Sequence, residues 1–327
     1  MKVFRRLRRF LSAPGPVDRG AIFAKQSQTF VACVWTVRLF YIVQLFFLPA
    51  IFEDWVEWRQ VTVLEPLWPV FWVEAVGISV SVDFIVALFA IGLFGAAAFP
   101  QLRSFRVLAF AGLLLYSAFK NSFGKIGHST HAWIYVSFVL MFLPSIRRDG
   151  SSGARMFRQK YLSVILGAQA MVLMLYSLSG FWKVWAAIMQ TSRGELSALS
   201  VDGFSYLIAN RLLQNNVESL FGPFLIQHSW VGAVSFLAAI YVELFAVLAL
   251  FRHPLHRWWG LGLIGLHLGS ELILSVGFSK NILLLGILLV SSPFQPATSD
   301  VKGVLRLLPG AGLLYPRGRP ATSAQLT

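Results

Sequence analysis

Lys160-Tyr-Leu-Ser-Val-Ile-Leu-Gly-Ala-Gln-Ala-Met-Val-Leu-Met-Leu-Tyr-Ser-Leu-Ser-Gly-Phe-Trp-Lys183 is an uncharged, mostly apolar run closed at each end by a lysine. Residues 162–182 reach the roughly 20 positions a helix needs to cross the hydrocarbon of a bilayer. The apolar character is continuous rather than alternating, so the run reads as a spanning helix and not as a barrel strand. Seven further segments read the same way, at about 28–51, 79–99, 106–119, 131–146, 230–251, 257–277 and 280–294. The expected fold class is therefore all-α: a polytopic membrane helical bundle of about eight transmembrane helices plus an interfacial amphipathic helix.

Composition agrees with that reading. The chain is 57% hydrophobic and 13% charged with a mean hydropathy of +0.68, whereas soluble domains carry about 25% charged residues. A net charge of +14 suggests nucleic acid at first sight. Its placement excludes that partner, because the basic residues sit in short segments flanking the apolar runs, where they act as topology signals. With the N-terminus inside, twenty Lys and Arg residues fall on the cytoplasmic side, seven fall opposite, and Arg38 lies within the first span. That division supports an even number of crossings, both termini cytoplasmic, and a bacterial inner membrane as the expected location. Cys33 is the only cysteine and lies in the first span, so neither a disulfide framework nor a CxxC pair is available.

The domain reading follows from the spans. Residues 1–27 form a retained basic arm on the cytoplasmic lipid surface, residues 28–294 form the bundle, and 295–327 form a short cytoplasmic tail. The outer loop 52–78 carries Trp55, Trp58, Trp68, Phe71 and Trp72 among five acids and suits the aromatic interfacial belt. Residues 195–221 read as an outer interfacial helix lying across the bundle mouth like a lid, with Phe204, Leu207, Ile208, Leu212 and Leu213 on one face. Asp202 stands where a cap would start it.

Ionisable residues inside a membrane are costly, and each is a functional hypothesis. By depth, Arg38 in span one and Glu243 in span six are expected to pair as a structural salt bridge fixing helix register. Asp83, Lys183 and Glu271 occupy the outer third of spans two, five and seven. His267 lies one turn below Glu271 on the same face, and Glu271 is the expected acidic neighbour of Lys183. A lysine among apolar groups either snorkels to the headgroups or acts as a base. The small residues Ser177, Ser179 and Gly180 beside Lys183 favour close helix packing over free snorkelling. His128-Ser-Thr-His131 offers two imidazoles at i, i+3, and Ser129 or Thr130 as a helix cap accounts for the stretch without a metal, so no metal site is expected. Glycine is frequent at 260–277, but no GxGxxG follows a strand and no GKS/GKT or G-x-S-x-G motif is present, so nucleotide binding and a serine nucleophile have no support.

The order of several short motifs resembles the HTTM (horizontally transferred transmembrane) family, the group related to the transmembrane part of vitamin K-dependent gamma-carboxylase. The pieces are Pro66-Leu-Trp-Pro-Val-Phe-Trp72, Gly127-His-Ser-Thr-His131, Tyr176-Ser-Leu-Ser-Gly-Phe-Trp-Lys183, and His267 followed by Ser291-Ser-Pro293. The resemblance implies that Lys183 corresponds to the lysine that deprotonates or steers a reduced quinone, and that His131 and His267 line the same cavity. The carboxylases carry a large extramembrane domain after the bundle, while this chain ends some 30 residues beyond its last expected span, so protein carboxylation is not the expected reaction.

The expected function is a membrane-embedded protein, enzyme or enzyme-like, that holds a lipid-soluble small molecule in an outward-facing cavity. Lys183 serves as base and His131, His267 and Glu271 are the further catalytic candidates. The cofactor is open, with a quinone-type lipid as the candidate. The alternatives are a proton-coupled permease using Arg38, Asp83, Glu243, His267 and Glu271 as a relay, and a non-catalytic membrane assembly protein with an unidentified protein partner.

Overall fold

The computed structural model describes residues 26–124, 126–145, 151–295 and 301–311. The basic arm, apart from its last two residues, and the end of the tail lie outside them. The described residues are helical, with no strand among them. Helices α1 (Gln26–Leu45) and α2 (Leu48–Trp58) are followed by a loop with two single turns, Trp68–Val70 and Val73–Val76. Next come α3 (Ile78–Ala98), α4 (Arg103–Asn121), α5 (His131–Leu140) and α6 (Ser151–Ser192). They are followed by α7 (Gly203–Asn215), α8 (Gly222–Gln227), α9 (Ser229–Leu244), α10 (Ala246–Leu250), α11 (His256–Leu274), α12 (Ser279–Leu285) and α13 (Val301–Leu307). The wide turns of a π-helix, Gly286–Val290, continue α12.

Helix covers most of each of the eight expected segments, but among the described residues only three stretches are long and apolar enough to cross a membrane on their own: Thr29–Trp58, Ile78–Ala98 and Met156–Ser192. The expected loop 52–78 is shorter than the sequence suggests, because Leu48–Trp58 is helical. Phe46 and Phe47 form a turn, and Pro49 enters the first turn of α2, where its missing N–H costs nothing. Side chains on the outside of the bundle are as apolar as those inside: Trp35, Val80, Ile91 and Trp182 are each at least 60% exposed.

Contacts between helices rely on absent side chains. A Cβ on Gly92 would stand 2.4 Å from the Ala109 nitrogen, and one on Gly112 would stand 2.4 Å from the Phe89 Cα, so α3 and α4 meet backbone to backbone. Arg106, one of the twenty basic residues assigned to the cytoplasmic side, is fully buried. Its guanidinium donates to the carbonyls of Pro100 (2.5 Å), Leu140 (3.0 Å) and Leu143, closing the end of α5. The tail also belongs to the bundle, since Tyr241 donates to the Pro309 carbonyl at 2.7 Å and Val304 is buried.

The expected interfacial helix 195–221 is realised as α7, starting later at Gly203. Phe204 and Ile208 are buried against Leu225, Val231, Phe236, Ile273 and Leu274, so the helix docks on the ends of α9 and α11 rather than lying free. Asp202 occupies the cap position without a side-chain capping bond.

Candidate functional site

Helix α6 is 42 residues long, about 63 Å, so Lys183 lies well inside it and not at its end. One turn before Lys183, Gly180 brings α6 onto α9. A Cβ there would stand 2.5 Å from the Leu244 nitrogen and 2.8 Å from its Cα. This approach sets the Glu243 side chain beside Lys183, and Lys183 Nζ lies 2.5 Å from both Glu243 Oε1 and Oε2. The Ser179 hydroxyl donates to Oε1 at 3.5 Å. The carboxylate is buried, with its side chain 4% exposed, while the Lys183 side chain is 38% exposed.

The same contact interrupts the helix that carries Glu243. In a continuous helix the Val247 N–H would bond the Glu243 carbonyl. Instead the Ser177 hydroxyl stands between them, accepting from Val247 N at 2.9 Å and donating to Glu243 O at 3.3 Å. An inserted side chain is one of the few things that breaks an i to i−4 ladder, and it divides α9 from α10 at Phe245. Below this point the Tyr176 hydroxyl and His267 Nε2 are 2.5 Å apart, and the His267 ring packs 4.7 Å from that of Phe278.

Lys183 lines a cleft of about 360 Å³ between α9 and α11, with Phe204 of α7 among its walls. Gly262, Gly265 and Gly269 form much of its α11 side, and Cβ atoms on the latter two would meet nothing within 4 Å. Missing side chains therefore keep the cleft open. Gly262, Gly265 and Ala238 are exposed, so it opens on the outside of the bundle. Its volume is at the lower end of the range for pockets that enclose a small ligand.

The expected residues fall into separate places. Arg38 does not pair with Glu243. Its guanidinium lies 5.3 Å from the ring centre of Trp35, and α1 packs on α3 and α6 while Glu243 is carried by α9. Equal depth in the sequence did not say which helices are neighbours. Glu271 is exposed and makes no ion pair with Lys183, because the Gly180 contact gives that place to Glu243. Asp83 accepts from Trp55 Nε1 at 2.7 Å and lies 3.5 Å from Arg59 Nε, apart from the Lys183 group. His131 is not among the cleft residues. Its Nδ1 faces that of His128 at 3.4 Å, and no group of three or more potential metal ligands is found among the described residues. Thr130 takes the cap position of α5 without a capping bond.

What the sequence reading missed is the partner of Lys183 and the part played by Tyr176 and Ser177. The signal for the partner lay in Gly180: a glycine one turn from an intramembrane lysine marks the closest helix approach, and the acid nearest that contact becomes the counter-ion. No protein-family model, no curated protein and no solved structure matches this chain.

Proposed function

We propose that the chain is a membrane-embedded protein that holds a lipid-soluble molecule, a quinone-type compound or one of similar character, in the cleft between α9 and α11, with Lys183 meeting its polar end. The observation that carries this reading is the position of Lys183: a lysine paired with a buried carboxylate opens onto a mostly apolar cleft, with Ser235 and Ser270 its other polar lining, kept free by glycines. A buried ion pair is a poor way to stabilise a bundle, since apolar residues of equal volume usually do as well or better. Its retention beside an apolar cleft fits chemistry. Lys183 Nζ hands a proton to the Glu243 carboxylate as it takes one from a hydroxyl-bearing guest, so that the ammonium again faces the resulting oxyanion and Glu243 both fixes Nζ and stores the proton.

Eight crossings, with both termini on the cytoplasmic side, accompany this proposal and are supported by the twenty-to-seven division of basic residues. In that orientation Lys183 and the cleft belong to the outer half of the bilayer, with α7 over the cleft. The likeness to HTTM proteins agrees with a quinone-type guest and rests on the order of the short motifs alone.

Native mass spectrometry of protein extracted with its own lipids tests the reading. The wild type is expected to retain one apolar adduct. Gly269→Leu, which fills the cleft, and the paired change Lys183→Met with Glu243→Gln, which removes the charges together, are each expected to lose it. Equal retention by all three would refute the proposal.

One observation favours a second reading. Helices interrupted within the bilayer line substrate sites in many transporters, and α9 is interrupted beside Glu243. Solute uptake by the purified protein in liposomes, abolished by Glu243→Gln, would establish that reading in place of the first.

A further inference from the structure

Lys183 is the last of three polar side chains set seven residues apart on α6, after Gln169 and Tyr176. Seven residues are about two turns and 10.5 Å, so the three share one face. Each is bonded to a different helical segment. Lys183 holds Glu243, and the Tyr176 hydroxyl meets His267 Nε2. Gln169 Nε2 donates to the Leu288 carbonyl at 2.6 Å and to Ser292 Oγ at 2.9 Å, and Ser292 Oγ lies 2.8 Å from His256 Nδ1. Leu288 lies in the π-helical turns, a distortion often found at functional sites. Glu243 is within electrostatic reach of Tyr176, and Lys183 of His267. A polar seam thus follows α6 from the cleft to the His256 end of the bundle.

Gln169, His256, His267 and Ser292 of the seam are buried, Tyr176 and Lys183 are partly exposed, and the bonding is incomplete. Gln169 is fully buried and His267 is 4% exposed, yet Gln169 Oε1 and His267 Nδ1 have no hydrogen-bond partner. His256 Nε2, the second nitrogen of that ring, is likewise buried without a hydrogen-bond partner. Buried polar atoms in folded proteins are almost always satisfied, and where protein groups do not reach, ordered water does.

We propose that ordered waters sit at Gln169 Oε1 and His267 Nδ1, and that the seam conducts protons between the Lys183–Glu243 pair and the His256 end of the bundle. His267 Nδ1 takes a proton from its water while Nε2 passes one to the Tyr176 oxygen, and the Tyr176 hydroxyl proton moves on toward Glu243. One proton enters, one leaves, and neither His267 nor Tyr176 keeps a net charge. Such a path would supply or remove the proton exchanged at Lys183. The inference extends the reading of that site, but its test needs no ligand in the cleft.

Hydroxyl-radical footprinting by X-ray pulses, with the protein in lipid nanodiscs and labelling read by mass spectrometry, detects waters held against buried side chains. Tyr176 and His267 are expected to label at least about fivefold faster than the buried Trp133, after correction for intrinsic reactivity. In liposomes with an internal pH dye, the wild type is expected to pass protons down an imposed gradient. Tyr176→Phe, which keeps the ring and removes the hydroxyl, is expected to slow this at least about tenfold. Labelling of Tyr176 and His267 no faster than that of Trp133 overturns the waters. Proton flux unchanged in Tyr176→Phe overturns the path, whether or not the cleft is later found to hold a ligand.

Discussion

Replacing Lys183 by methionine leaves the Glu243 carboxylate almost fully buried, with a hydroxyl at 3.5 Å as its remaining side-chain partner. Removing one member of a buried ion pair costs about 3–5 kcal/mol, because the remaining charge stays desolvated. Glu243→Gln is the gentler change. Lys183 is exposed by more than a third, so its Nζ can turn toward headgroups or water, and the loss is expected to be about 1 kcal/mol. The double variant has neither charge and should lose only about 1–2 kcal/mol, giving a coupling of about 2–5 kcal/mol between the two positions. Reversible unfolding of the four proteins in mixed micelles, followed by tryptophan fluorescence, measures the cycle. Equal losses from the two single variants, or a coupling below about 0.5 kcal/mol, would refute the picture of a buried acid held by a half-exposed lysine.

Three further outcomes follow from the packing. Gly180→Ala should push α6 from α9 and cost about 1–3 kcal/mol, whereas Gly265→Ala, whose Cβ meets nothing within 4 Å, should leave unfolding unchanged; the same titration compares them. Ser177→Ala removes the hydroxyl bridging the break between α9 and α10, with an expected loss of about 1–2 kcal/mol and faster amide exchange at Val247. Arg106→Met strips three carbonyls of their donor and should cost about 3 kcal/mol or more, seen as a lowered unfolding midpoint.

The helical segments were legible in the sequence because uninterrupted apolar character leaves few alternatives to a spanning helix. Lys183 was legible for a related reason, since a charge is conspicuous where charges are expensive. Its partner was not. Depth along a span can be counted, but lateral neighbours depend on where small residues let backbones meet, so Arg38 with Glu243 and Lys183 with Glu271 looked as good as the pair that forms. The break between α9 and α10 escaped for another reason: it contains neither proline nor glycine and is caused by a serine on a different helix. The extension of the helix through Leu48–Trp58 was hidden by acids and tryptophans that read as loop.

Whether the cleft beside Lys183 holds a lipid-soluble molecule is decided by a cryo-EM structure of the protein in nanodiscs prepared with its native lipids. Elongated density is expected between α9 and α11, with a polar atom within about 3.2 Å of Lys183 Nζ. An empty cleft, or a phospholipid whose headgroup lies away from Lys183, would contradict the proposal.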